Sequence, residues 1–525
     1  MAVGIILLVP IPTVWAYIHR ASVIRFVEYA PETFETARRE RKPLFLLVSA
    51  VWCSWCKTFD QDVLKNEEVS TYLNGHYVSI FVDYDRRPDL VRKYVRGLPM
   101  VVLFDSEGQV RQSFAGVLKA GDFLDVLKRF EGAIRTGLAR TQPPEPRSGS
   151  IAILDPVPVT PDVYRQLRQG VLDFLDAHLD TVHGGFGTRD KHAYPSLLAY
   201  LLEQYHATRD RRYLIAVEKS LDGILKGIYD SVDGGFFHYA EGREWREPHY
   251  EKLAHLNASL AVVLSEAHRV TRNPRYKEAA DATLRYLMRT LYDAKAGGFY
   301  GSQTADPAYY RLPPQERRTA RRPPVNRDKI TEWNAEITLG FIALGQSAGR
   351  QDLTDVAVRT LEFMRRDLVT EKGVFHLYDD RTGRGQLPGQ LESNAWAALA
   401  FLEGYRLART ETYRQAAERI LAYARAELFD PARAIFGKDG EIPLSMAANG
   451  ILAQALLRAY QFTGRKEYLE TATRVLAALG GEARAILVED NEAAAVVRVA
   501  DTVFYLKAYR QAVTAGSPLP TGRTR

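Results

Sequence analysis

The chain of 525 residues has only two cysteines, and they stand three apart in Val51-Trp52-Cys53-Ser54-Trp55-Cys56-Lys57. The run before them, Pro43 to Ala50, is apolar and short, the signature of a buried strand. After them, Phe59, Val63, Leu64 and Val69 recur at helical spacing. A Cys-x-x-Cys pair between a strand and a helix has a definite chemistry. The first cysteine falls at the helix N-terminus, where free N–H groups and the dipole stabilise a thiolate. The second lies one turn on, within reach of a disulfide. That arrangement predicts a dithiol that alternates between reduced and oxidised forms, with the redox-active disulfide standing in place of any other cofactor. A structural disulfide fits less well, because so short a loop constrains the unfolded chain very little. A zinc site needs two further ligands, and no histidine pair follows at finger spacing, so no metal is expected.

The neighbouring residues extend the pattern. Tyr77 to Asp83 alternates like a half-buried strand, and Gly97-Leu98-Pro99 leads into the apolar Met100 to Phe104 and the turn Asp105-Ser106-Glu107-Gly108. This order resembles the thioredoxin fold over residues 25 to 131. The resemblance implies a cis-proline at Pro99 beside the disulfide, and a catalytic set of Cys53, Cys56, Pro99 and Trp52, with Trp55 facing the substrate. Cys53 would attack a disulfide of a protein partner and Cys56 would resolve the mixed disulfide. One departure is chemical. The acid that the family buries six residues before the first cysteine is Leu47 here.

From Pro161 onward the pattern changes. A glycine–aromatic unit recurs as His183-Gly184-Gly185-Phe186, Asp233-Gly234-Gly235-Phe236, Ala296-Gly297-Gly298-Phe299, Lys372-Gly373-Val374-Phe375 and the degraded Arg433-Ala434-Ile435-Phe436. An amphipathic helix precedes each unit. A second helix follows, often opening at an asparagine: Asn257, Asn334, Asn394 or Asn449. Ala335 to Leu344 and Ala395 to Leu402 are apolar nearly all round and predict helices buried on both sides. About twelve helices in alternation predict stacked hairpins forming two concentric rings. The arrangement resembles the (α/α)6 toroid of six-hairpin glycosidases and sugar epimerases, with an open helical solenoid as the alternative. The expected fold class is therefore an α/β thioredoxin-like domain followed by an all-α (α/α)6 toroid. The expected boundaries are a hydrophobic segment over 1–20, the thioredoxin-like domain over 21–140, a Pro-rich linker over 141–160, and the toroid over 161–515.

Residues 1–18 carry no charged side chain and are just long enough for a marginal transmembrane helix. The basic residues that follow favour a cytoplasmic main body by the positive-inside rule, although a tethered dithiol domain also suits the other side. A net charge of +6 is too weak and too spread to argue for nucleic acid. The basic run Arg317 to Arg327 reads as a solvated connection.

In the second half, Trp245 to Ala258 is the most polar loop-to-helix segment. His249 and Lys252 lie three apart, with Glu251 beside them. Glu332-Trp333-Asn334 and Glu392-Ser393-Asn394 open later inner helices. A mouth lined by Glu251, Glu332 and Glu392 with Trp245 and Trp333 suits a carbohydrate, because paired carboxylates do acid–base work and an aromatic face stacks on a pyranose. Carboxylates at helix starts are equally well placed as dipole partners. The chain as a whole resembles the thioredoxin-domain proteins related to spermatogenesis-associated protein 20. The residues carrying this are Trp52-Cys53-Ser54-Trp55-Cys56, Gly184-Gly185-Phe186-Gly187, Pro248-His249-Tyr250-Glu251-Lys252, Gly297-Gly298-Phe299-Tyr300 and Trp333-Asn334-Ala335. The candidate binding set is Trp55, His238, Trp245, His249, Glu251, Lys252, Glu332, Trp333, Asn334 and Glu392. Leu256, Thr304 and Asn326 stand where relatives carry acids, and Ser54 where they carry a histidine. Three readings follow: a thiol–disulfide oxidoreductase whose barrel is a binding domain, a carbohydrate hydrolase or epimerase, and a non-catalytic membrane-tethered scaffold.

Overall fold

The apolar run over 44–49 forms the centre of a five-stranded sheet. In the computed structural model of the chain, residues 22–136, 155–437, 445–489 and 492–515 are described. They divide into two compact units, the first ending at Pro146. In the first unit the elements are β1 (Phe26–Val27), α1 (Pro31–Glu40), β2 (Leu44–Ser49), α2 (Ser54–Thr58), α3 (Glu67–His76), β3 (Val78–Asp83), α4 (Pro88–Tyr94), β4 (Met100–Phe104), β5 (Val110–Ala115) and α5 (Ala120–Arg135). A π-helical turn over Phe59–Leu64 continues α2. The strand order is β1-β3-β2-β4-β5. β1 and β2 run parallel to β3, and β4 runs antiparallel to both β2 and β5.

The two faces of β2 explain why its sequence does not alternate. Phe45 and Leu47 pack with Phe59, Val63, Leu73 and Phe123 on one side. Leu44, Leu46 and Val48 pack with Ala37, Leu90 and Tyr94 on the other. Helices cover both faces, so every position must be apolar. Each such fully buried side chain contributes roughly 2 kcal/mol of transfer free energy.

In the second unit, twelve long helices alternate between an outer and an inner ring among the described residues. The outer ones are α6 (Pro161–His178), α8 (Arg211–Gly227), α10 (Pro274–Tyr286), α14 (Gln351–Asp367), α16 (Glu411–Tyr423) and α18 (Lys466–Ala478). The inner ones are α7 (Pro195–Thr208), α9 (Ala254–Thr271), α13 (Thr331–Ala348), α15 (Leu391–Ala408), α17 (Met446–Thr463) and α20 (Glu492–Ala515). Short helices α11 (Pro307–Tyr310), α12 (Pro314–Arg317) and α19 (Gly480–Leu487) lie between them. Each inner helix packs on the next, and α20 returns to α7. That last contact closes the ring and excludes an open solenoid. The outer helices carry one apolar stripe, whereas α13 and α15 bury side chains on several faces, as their composition requires.

Some expectations change. Near the end of the Pro-rich segment, Val157 packs on the barrel and its N–H donates to Ala477 O at 2.8 Å. Arg317 is not a solvated member of a basic loop. It is buried and pairs with Asp230 at 2.8 Å, because the loop over 304–328 folds back over the second glycine turn. The apolar stretch over 1–18 lies outside the described residues. Among the described residues no helix is long and apolar enough to cross a membrane.

Candidate functional site

The cysteine pair is built by local backbone geometry. β2 ends at Ser49, and the chain turns through Ala50 and Val51 into α2. Cys53 is the N-cap of that helix, and the Cys56 N–H donates to Cys53 Sγ at 3.1 Å. The two Cα atoms are 5.3 Å apart and the two sulfurs lie against each other. The register pairs Met100 with Val48, so Pro99 faces the end of β2 from which the cysteine turn departs. The Leu98–Pro99 peptide is cis. The Trp52 indole N–H donates to Asp85 Oδ2 at 2.8 Å, and its ring meets Tyr84 edge-on. Leu47 makes the side of the sheet beneath α2 apolar. The pair is more covered than a motif at a helix start suggests: Cys53 is 6% exposed and Cys56 3%. Trp55, 45% exposed, is the apolar surface beside the pair.

The predicted barrel residues fall into two groups. One group holds the fold. Lys252 Nζ is wholly buried and donates to Asp230 Oδ2 and Gly234 O, each at 2.7 Å. Lys329 repeats this with Asp293 and Gly297 O, and Lys191 with Asp180 and Gly187 O. A lysine thus ties down each of the first three glycine turns. Burial drags Lys252 down to about 8, against the pull of Asp230. Asn334 accepts the Phe299 N–H at 2.6 Å and donates to Phe299 O and Ile330 O, and Asn257 does the same at Phe236. The turns need glycine for this closeness. At Gly298, with φ of 82°, an added Cβ would lie 3.0 Å from Asn334 Oδ1. Trp245 is buried against Gly223 and Gly227, and its indole N–H donates to Gly184 O at 3.3 Å. Trp245, Lys252 and Asn334 therefore spend their polar atoms on the scaffold, not at the mouth.

The other group gathers at the N-terminal ends of the inner helices. His238 Nδ1 lies 3.0 Å from Glu251 Oε1, and Glu251 is 1% exposed. Its second oxygen, Oε2, is buried with no hydrogen-bond partner among the described residues. His255 packs on Trp333 with ring centres 4.3 Å apart and planes tilted, and its Nδ1 is also buried with no hydrogen-bond partner among the described residues. Burial, then the nearby His238, pushes His255 down to about 3. His192 is pushed to about 4 by burial and His238, and stacks on Tyr239, whose ring lies on that of His249. His249 Nε2 is 2.8 Å from Glu241, so it binds within the loop. Glu332 and Glu392 open their helices as expected. Asp501 is exposed, and the protein crowded around it, then the Glu392 charge, moves its carboxyl upward.

His192, His255, Asp501 and Glu336 were absent from the predicted set. His255 sits in the motif segment itself. Glu336 had a readable signal, since it is a lone carboxylate inside an otherwise apolar inner helix. Asp501 gave none, because no glycine unit precedes α20.

Known proteins resemble this architecture in parts. Residues 13–107 match the family described as protein of unknown function, DUF255. The chain is homologous to spermatogenesis-associated protein 20 of Mus musculus, with 27% identity over 327 residues, covering 57% of this chain and 41% of that protein. The human protein of that name is 27% identical over 322 residues, covering 55% and 40%. The chain thus spans about two fifths of these relatives' length. A shorter stretch of 78 residues is 36% identical to cellobiose 2-epimerase of Bacteroides fragilis, covering 15% of this chain and 20% of that one. Among solved structures, D-mannose isomerase aligns with a TM-score of 0.54 at 12% identity, covering 68% of this chain and 98% of that one. Cellobiose 2-epimerase from Spirochaeta thermophila aligns at 0.52 and 15%, covering 68% and 99%. At these identities the likeness is one of fold: a thioredoxin-like unit joined to a barrel of the glycosidase and epimerase type.

Proposed function

We propose that the chain is a thiol–disulfide oxidoreductase acting on a protein partner, with the barrel as its binding module. The observation that carries this is Cys53 capping α2 with its sulfur accepting the Cys56 N–H, beside Pro99. That N–H and the helix dipole favour a thiolate at Cys53. The Cys53 thiolate attacks one sulfur of the partner's disulfide and releases the other as a thiolate. Cys56 then gives up its proton, attacks Cys53 Sγ and frees the partner as a dithiol. The chain is left oxidised, and a donor dithiol must reduce it again. Leu47 supplies no carboxylate to take the Cys56 proton, so resolution relies on water or on the released thiolate. In the test, the full chain, Cys53→Ser and Cys56→Ser are compared in dithiothreitol-driven reduction of insulin. Acceleration by the native chain and its loss in both variants supports the reading. An equal rate in all three refutes it.

The barrel mouth supports a second reading, a carbohydrate isomerase or epimerase. Two buried polar atoms there, Glu251 Oε2 and His255 Nδ1, have no hydrogen-bond partner among the described residues, and His255 is neutral at pH 7. A neutral imidazole beside an aromatic face suits proton abstraction from a sugar carbon. Turnover of mannose or cellobiose that is lost in His255→Ala supports this reading. An inert native chain removes it.

A further inference from the structure

The barrel holds a chamber that reaches from the start of α7, at Pro195 and Ser196, toward the C-terminal ends of the inner helices. Its volume is about 420 Å3. On α9, α13 and α15 its walls begin one helical turn below the mouth residues: Ser259 follows His255, Glu336 follows Glu332, and Trp396 follows Glu392. At this level Trp396 meets Phe504 edge-on at 5.3 Å, and Ser259 Oγ donates to Glu336 Oε1 at 2.6 Å. From there the chamber runs toward the C-terminal ends of the inner helices, past Ala199, Val262, Leu339, Ala343 and Leu399. At that far end stand four cations, Arg406, Arg458, Lys507 and Arg510. Two carboxylates meet them. Glu403 pairs with Arg406 at 2.6 Å and Arg458 at 2.8 Å, and Glu203 with Lys507 at 2.7 Å and Arg510 at 3.3 Å. The thioredoxin-like chemistry and the sugar reading use none of these groups.

We infer that this chamber binds a medium-chain aliphatic carboxylate, its chain between the aliphatic walls and its head among Arg406, Arg458, Lys507 and Arg510. The walls explain the chain. Ala199, Val262, Leu339, Ala343 and Leu399 favour a hydrocarbon by about 0.8 kcal/mol for each buried CH2, with Ser259, Gln454 and Gln511 as polar residues of the same walls. The rim explains the head. Four cations against two carboxylates leave a surplus suited to one further carboxylate, which an arginine fork binds in two places. The negative ends of the helix dipoles converge at the same rim and disfavour a multiply charged phosphate. At the floor, burial holds Glu336 up at about 7, so near neutral pH much of it is an uncharged acid that an alkyl end can approach. This inference is independent of the disulfide chemistry.

The test is calorimetric titration of the full chain with dodecanoate, and with dodecan-1-ol as the headless control. Saturable binding of one dodecanoate per chain is expected, with dodecan-1-ol at least about tenfold weaker. Leu399→Trp fills the chamber and is expected to abolish binding. Should that variant not fold, the rim decides, since Arg458 and Arg510 are partly exposed and tolerate change. Arg458→Gln with Arg510→Gln is expected to weaken dodecanoate about tenfold and leave dodecan-1-ol unmoved. No saturable binding, equal affinity for acid and alcohol, or indifference to the arginine pair overturns the proposal.

Discussion

The cysteine pair and the barrel mouth are assembled in opposite ways. Cys53 receives its hydrogen bond from Cys56, three residues on, and one strand end and one helix start fix both. Glu251 meets His238 across thirteen residues, and His255 rests on Trp333 from the next hairpin. The mouth therefore exists only while the glycine turns hold their places. Lysine and asparagine staples do that work, and they lie beside the mouth residues in sequence. A site made from local geometry survives distant damage, whereas a site made from loops inherits every weakness of its scaffold. The useful experiments separate scaffold from site at the mouth.

The largest effect belongs to Lys252. Lys252→Ala removes the cation that ties Asp230 to Gly234 O in a fully buried setting, with Arg317 left as partial compensation. A loss of about 3 kcal/mol in urea unfolding is expected. A loss under about 1 kcal/mol would make Lys252 a site residue instead. Asn334→Ala comes next. It strands the Phe299 N–H and C=O inside the barrel, at an expected cost of about 2 to 3 kcal/mol by the same measurement. If Asn334 served a ligand, stability would barely move.

Glu336 gives a smaller, pH-dependent effect. Its folded value of about 7 lies above the unfolded 4.5. A raised carboxyl disfavours the charged form in the fold, so the penalty is absent below pH 4.5. It grows as pH rises toward 7 and is constant above that. Glu336→Gln should therefore flatten the fall in stability between pH 5 and 8 by on the order of 2 kcal/mol, after allowance for water in the chamber. Unchanged curvature in thermal melts across that range would contradict this. The smallest effect is expected at Glu251. Glu251→Gln keeps the volume and alters an oxygen that has no hydrogen-bond partner among the described residues, so stability should move by less than about 1 kcal/mol. A large destabilisation would make Glu251 part of the scaffold, like Lys252.

The sequence was legible where chemistry and periodicity are local. The strand over 44–49, the helix after Cys53 and the two classes of barrel helix all follow from apolar spacing. The family resemblance supplied the ring, and the α20–α7 contact closes it. The roles of Lys252, Asn334 and Trp245 were misplaced for one physical reason. A polar residue beside a glycine turn looks the same in sequence whether it faces a ligand or a backbone carbonyl. The repetition of the lysine at Lys191 and Lys329 was the available clue, because a threefold staple is structural by its symmetry. The chamber needed six helices to be placed at once, and no local pattern contains that. Arg317 was misread because a buried ion pair to Asp230 joins residues 87 positions apart.

The central claim is tested most directly by titrating the full chain through a series of glutathione redox buffers, trapping free thiols and counting them. The account predicts one two-electron transition between a Cys53–Cys56 disulfide and two free thiols, absent in Cys53→Ser. Two thiols that stay free at every potential, or a disulfide that no dithiol reduces in the native chain, would contradict it.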